Sequence, residues 1–186
     1  YKRQISQNNF DLLVSNICRG LEGSILDNNI NTKSLCISHG IISKSCNKYD
    51  KIYKIFSGKP DYDKEHIPNS DFLDVLELSD KNSKYDFMMP DLGVFSNMMS
   101  FKGVGPNTHV ILYSRENIQW ATRVWWMLKS VNFLNVSILN GGFDRWKLEN
   151  KKVTKLPVKY PKNNFKGQNQ PGFFCEKEEV IKNKTY

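Results

Sequence analysis

The stretch THVILYSRENIQWATRVWWMLKSVNFLNVSILNGGF, Thr108 to Phe143, decides the fold. Val110-Ile111-Leu112-Tyr113 is a short apolar run bounded by polar residues, the pattern of a strand buried on both faces. Ser114 to Asn117 is polar. Ala121, Val124, Trp125 and Leu128 then recur at helical spacing and give one apolar stripe. Val136-Ser137-Ile138-Leu139 is a second buried strand, and Asn140-Gly141-Gly142 turns tightly into a segment carrying Phe143 and Trp146. A strand, a helix and a strand within about 30 residues form a crossover unit. Its strands are parallel and need cover on both faces. The expected class is α/β, with a mainly parallel central sheet flanked by helices on both faces.

Working outward, Met89-Pro90-Asp91 opens a helix with Phe95, Met98 and Met99 on its apolar face, and Gly103 to Asn107 is a loop. Leu35 to Ile42 reads as one buried strand. Ser43 to Asp63 is polar, with Tyr49, Ile52, Tyr53, Ile55 and Phe56 at near-helical spacing. His66 to Ser70 is a turn. Leu12-Leu13-Val14 is a short apolar run before Ser15, a helix-capping residue type. After Trp146 the character changes. Lys151 to Gln170 is rich in Lys, Asn and Pro without periodicity, as in an extended linker, and Glu176 to Asn183 reads as a short helix. The expected organisation is a globular domain over residues 1–153 and a linker over 154–186.

The 186 residues suffice for one cored domain. Net charge is +8, but the lysines are spread along the chain and are not interleaved with aromatics, which argues against nucleic acid. No apolar run reaches the length of a membrane span. Cys18, Cys36, Cys46 and Cys175 form no CxxC pair and have no zinc-finger spacing, so neither a metal nor another cofactor is expected. Reduced thiols are the default reading. The first residue is Tyr1, so an upstream targeting segment stays open.

Several blocks, in order, resemble the N-terminal domain of two-domain rhodaneses and mercaptopyruvate sulfurtransferases. They are Leu13-Val14-Ser15, His66-Ile67-Pro68, Phe72-Leu73-Asp74, Tyr85-Asp86-Phe87-Met88-Met89-Pro90, Thr108-His109-Val110, Arg123-Val124-Trp125-Trp126-Met127 and Val136 to Phe143. The Arg-Val-Trp-Trp-Met run is the most specific. The resemblance implies a rhodanese-like domain in an enzyme that moves sulfane sulfur from thiosulfate or 3-mercaptopyruvate to a thiophilic acceptor. The sulfur would ride as a persulfide on a cysteine of the C-terminal domain. The implied partners are that C-terminal domain and a small anionic sulfur donor. Cytoplasm and mitochondrion both suit such a family.

The resemblance also points to particular residues. The persulfide position falls in Tyr113 to Asn117, nearest Ser114. A serine cannot form a persulfide, no histidine neighbours it, and Glu116 adds negative charge to a loop that should welcome anions. This segment is therefore expected to be non-catalytic. His66 matches a proton-relay histidine, or simply caps its turn; Asp61 or Asp63 would have to serve as its acidic partner. Cys18 falls where a tryptophan often walls the cleft, or is a small buried helix residue. Phe95 matches an aromatic facing the cleft, or is core. Trp125, Trp126 and Trp146 are expected as core and domain-interface residues. The alternative function is a cysteine-less rhodanese-like binding or regulatory module. A phosphatase related by fold would also need a loop cysteine.

Overall fold

The computed structural model describes residues 32–36, 39–43 and 53–183. Four strands form one sheet: β1 (Thr32–Cys36), β4 (Ser70–Phe72), β5 (His109–Tyr113) and β6 (Val136–Ile138), in the order β4-β1-β5-β6. Every pairing is parallel. Leu35 stands opposite Leu112, and Val110 opposite Val136. The helices are α1 (Lys59–Lys64), α2 (Val75–Leu78), α3 (Leu92–Phe101), α4 (Gln119–Ser130), α5 (Gly142–Leu148) and α6 (Lys177–Lys182). The crossover read from the sequence is β5, α4 and β6. The α/β class holds.

Alternation along β5 splits the interior into two cores. Val110 and Leu112 face one side, with Leu35, Phe95 and Met99 of α3, and Trp120, Val124 and Leu128 of α4. Ile111 and Tyr113 face the other, with Tyr62 of α1, and Phe143 and Trp146 of α5. Successive strand side chains point to opposite faces, so one apolar strand serves both cores and needs helices on each. Asp91 starts α3 by accepting the Gly93 N–H at 2.7 Å.

Upstream, the sequence reading needs correction. The apolar run from Leu35 to Ile42 is not one strand. It divides into β1 and β2 (His39–Ser43), which belong to different sheets. Tyr53 to Ser57 is not helical but β3, antiparallel to β2, with His39 opposite Ser57 and Ser43 opposite Tyr53. Five apolar residues at mixed spacing satisfied a helical pattern by chance; the β-branched and aromatic content was the better guide.

The packing does not stop at Val153. Thr154 and His66 exchange backbone hydrogen bonds at 2.8 and 2.9 Å. Phe165 is 5% exposed and joins the core under α3, its ring 6.0 Å from Phe95 and 5.4 Å from Phe133. Gln168 and Gln170 donate backbone N–H groups to Val131 and Ser130. The segment is extended, yet it is laid along the domain as part of its wall. Of the tryptophans, Trp146 is buried, Trp125 half-buried and Trp126 39% exposed. The core expectation for Trp125 and Trp126 is thus corrected: the buried face of α4 runs through Trp120, Ala121, Val124, Met127 and Leu128 instead.

Candidate functional site

The chain leaves β5 at Tyr113 and enters α4 through Ser114 to Ile118. In an open parallel sheet the carboxyl ends of the strands are where ligands gather. Here a cavity of about 130 Å³ lies against the loop, lined by Ser114, Glu116, Ile118, Ile138, Leu139 and Asp144, with Gly141 and Gly142. Ser114 is 5% exposed. Its carbonyl accepts the Phe143 N–H at 3.0 Å. That contact is possible because position 142 has no side chain: a Cβ there would lie 2.4 Å from the Ser114 oxygen, and Gly142 sits at φ 56°. The tight turn read from Asn140-Gly141-Gly142 thus has a definite task. It lets the start of α5 close on the loop after β5.

Two features make this loop a poor anion cradle. The Glu116 N–H, in a residue at φ 55°, donates to the Asp144 Oδ2 at 2.7 Å, so an amide of the loop already serves a carboxylate. The cavity lining includes two carboxylates and no cation. Arg115 turns away. Its guanidinium lies 3.8 Å from the Phe143 ring centroid and donates to the carbonyl oxygens of Asp61, at 3.0 Å, and Glu65. Glu65 in turn receives Lys147 at 2.6 Å. That hydrogen bond, with the nearby Lys147, Arg115 and Lys64 charges, holds the Glu65 carboxyl below the usual glutamate range against a smaller desolvation effect. A persulfide or its thiolate would need N–H groups and positive charge here. The loop offers neither.

The other sequence-derived residues fall elsewhere. His66 is fully buried, stacked on Tyr62 at 3.9 Å. Its Nδ1 lies 2.7 Å from the Tyr62 carbonyl and its Nε2 3.0 Å from that of Leu156. A relay histidine needs a nitrogen open to the reacting groups. Both are engaged here, so the turn-capping reading is the one the geometry supports. Asp63 pairs with Lys59 rather than with His66. Phe95 has no exposed surface and packs edge-on against Phe165, which corrects the cleft-lining expectation; it is core. Cys18 lies outside the described residues. Cys175 is free and exposed. No group of three or more His, Cys, Asp or Glu residues suited to a metal occurs among the described residues.

Comparison with known proteins accords with this geometry. Residues 57–149 match the model of the rhodanese-like domain. The chain belongs to that family. Thiosulfate sulfurtransferase of Cricetulus griseus is 32% identical over 127 residues, covering 67% of this chain and 43% of the relative. That of Gallus gallus is 35% identical over 112 residues, covering 59% and 39%. 3-Mercaptopyruvate sulfurtransferase of Homo sapiens is 32% identical over 125 residues, covering 66% and 42%. This rhodanese-like chain therefore spans less than half the length of the curated relatives it matches. Among solved structures, SseA from Escherichia coli, a 3-mercaptopyruvate sulfotransferase, superimposes with a TM-score of 0.71 at 25% identity, over 88% of this chain and 58% of that one. No helix among the described residues is long and apolar enough to cross a membrane.

Sequence reasoning missed Arg115, Asp144, Glu65 and Lys147 as parts of the site. Asp144 meets Glu116 across 28 positions and Lys147 meets Glu65 across 82. No local spacing announces such contacts. The short helix after a double glycine was the available signal for Asp144, since its first turn lies close to the strand ends.

Proposed function

We propose that this chain is the N-terminal, non-catalytic half of a two-domain sulfurtransferase. In this reading a second rhodanese domain carries the persulfide cysteine. It takes sulfane sulfur from thiosulfate or 3-mercaptopyruvate and passes it to a thiophilic acceptor. The present domain supplies one wall of the cleft and holds no cofactor. The observation that carries the reading is the loop after β5: Ser114 occupies the nucleophile's place, and Asp144 takes an amide that an anion would need. The similarity to two classes of sulfurtransferase, over less than half of each, supports it.

The test is a cyanide-coupled assay with each donor, on this chain and on a chain continued through a second rhodanese domain. Activity in the longer protein alone is expected, and the preferred donor then names the substrate. Turnover by the short chain would overturn the non-catalytic assignment. Activity in neither would favour a binding or regulatory module.

A further inference from the structure

We propose that the cavity at the carboxyl ends of β5 and β6 binds one organic cation, a primary alkylammonium group. Glu116 and Asp144 both line it. Neither has an ion-pair partner among the described residues, in a chain of net charge +8. The basic side chains nearby are engaged elsewhere: Arg115 on Phe143 and two carbonyls, Lys147 on Glu65, Arg145 on Glu149 at 2.7 Å. Asp144 gives one oxygen to the Glu116 N–H and keeps the other.

The independent observation is Ser114. It is 95% buried, from a 5% exposure, and it lines the same cavity. Its hydroxyl makes no hydrogen bond among the described residues. A buried hydroxyl without a partner costs free energy, and a ligand donor would remove that cost. Three acceptors thus border one small space: a serine oxygen and two carboxylates. An ammonium group carries three N–H donors and no acceptor. Ile118, Ile138 and Leu139 supply apolar contact for the methylenes behind it. A divalent metal is worse served. Calcium takes about six to eight oxygen ligands, and the described residues offer no third acidic, histidine or cysteine ligand here. This site does not depend on the sulfurtransferase reading.

The experiment is an amide NMR titration of the full chain with n-butylammonium chloride. Tetramethylammonium chloride, which has no N–H, and sodium chloride are controls. Saturable shifts are expected at Ser114, Glu116, Gly141 and Gly142 with butylammonium only. Glu116→Gln is expected to weaken binding about tenfold, as loss of a charge-assisted hydrogen bond implies, and Ser114→Ala to weaken it less. A blocked Gly-Lys-Gly peptide distinguishes sources. Tighter binding than butylammonium assigns the pocket to a lysine of a polypeptide, and equal or weaker binding to a free amine. The proposal is overturned by shifts that fail to saturate or by equal shifts with tetramethylammonium. It is also overturned by unchanged binding in a Glu116→Gln variant that keeps its folded spectrum.

Discussion

Replacing Gly142 by alanine tests the closure of α5 on the loop after β5. Two costs arise separately. Position 142 sits at φ 56°, and a residue with a Cβ in that region loses about 1–2 kcal/mol. The new Cβ would also lie 2.4 Å from the Ser114 carbonyl oxygen, a backbone atom that cannot swing aside as a flexible side chain would. Relieving the clash separates α5 from the loop and loses the hydrogen bond from the Phe143 N–H to that oxygen, worth about 0.5–1.5 kcal/mol. Together the loss is about 2–3 kcal/mol. Gly172 provides the control. It has φ 83°, yet a Cβ there meets nothing within 4 Å. Gly172→Ala therefore carries the conformational cost alone. Urea unfolding of both variants reads the difference, since the midpoint shift multiplied by the slope gives the change in stability. Equal destabilisation by Gly142→Ala and Gly172→Ala would refute the close approach. So would a Gly142→Ala protein within about 0.5 kcal/mol of the parent, the ordinary range for an unconstrained surface site.

Phe165→Ala is expected to destabilise the domain by about 3–5 kcal/mol, as for other buried aromatics, in the same urea experiment; a loss below about 1 kcal/mol would make residues 154–170 a detached linker. Trp146→Ala should cost about as much, because the ring is 2% exposed and its Nε1 donates to the Lys152 carbonyl at 2.7 Å; Trp126→Ala, at a 39% exposed site, should cost far less. Desolvation holds the folded His109 below its usual range, so the unfolded chain takes up its proton first as pH falls. Stability should therefore decline on acidification through about 6.5, and His109→Asn should flatten that slope in pH-dependent melting. Ser114→Cys should give no thiosulfate:cyanide turnover, because Glu116 and Asp144 disfavour a thiolate beside them; a cyanide-coupled assay decides it.

How far the sequence could be read depends on where each signal is local. Val110 to Tyr113 and Val136 to Leu139 announced a parallel unit because a strand buried on both faces has no polar alternation to confuse with a surface strand. The α4 stripe was legible at Ala121, Val124 and Leu128 for the same reason: the spacing itself carries the geometry. Trp125 was misplaced because hydrophobicity does not say which flank of a stripe is covered. Tyr53 to Ser57 was misread because an edge hairpin outside the main sheet has no two-sided burial to impose a pattern. At the site, Ser114 was legible as the residue ending the central strand. The role of Asp144 was not. It depends on α5 folding back over the strand ends, which is settled by Gly142 and by the Tyr113–Phe143 stack, 6.4 Å between centroids.

The loop after β5 also explains how one sheet can hold a catalytic centre in one rhodanese domain and none in another. The β5–α4 connection is fixed from below by the two cores, which clamp Tyr113 on one side and Trp120 on the other. Between those anchors the residues are free to vary without disturbing the fold. Here Arg115 folds down onto Phe143 and the backbone of α1, so the cation that would favour an anion instead ties the loop to its own domain. Asp144 then takes the Glu116 amide from the opposite side. Each contact removes something an anionic sulfur species would require: the positive charge, the N–H group, the thiol. Returning a cysteine at position 114 restores only the last of the three. The electrostatic inversion of the loop lies in Arg115, Glu116 and Asp144, and a sulfur-carrying loop could not be recovered on this domain without changing all of them.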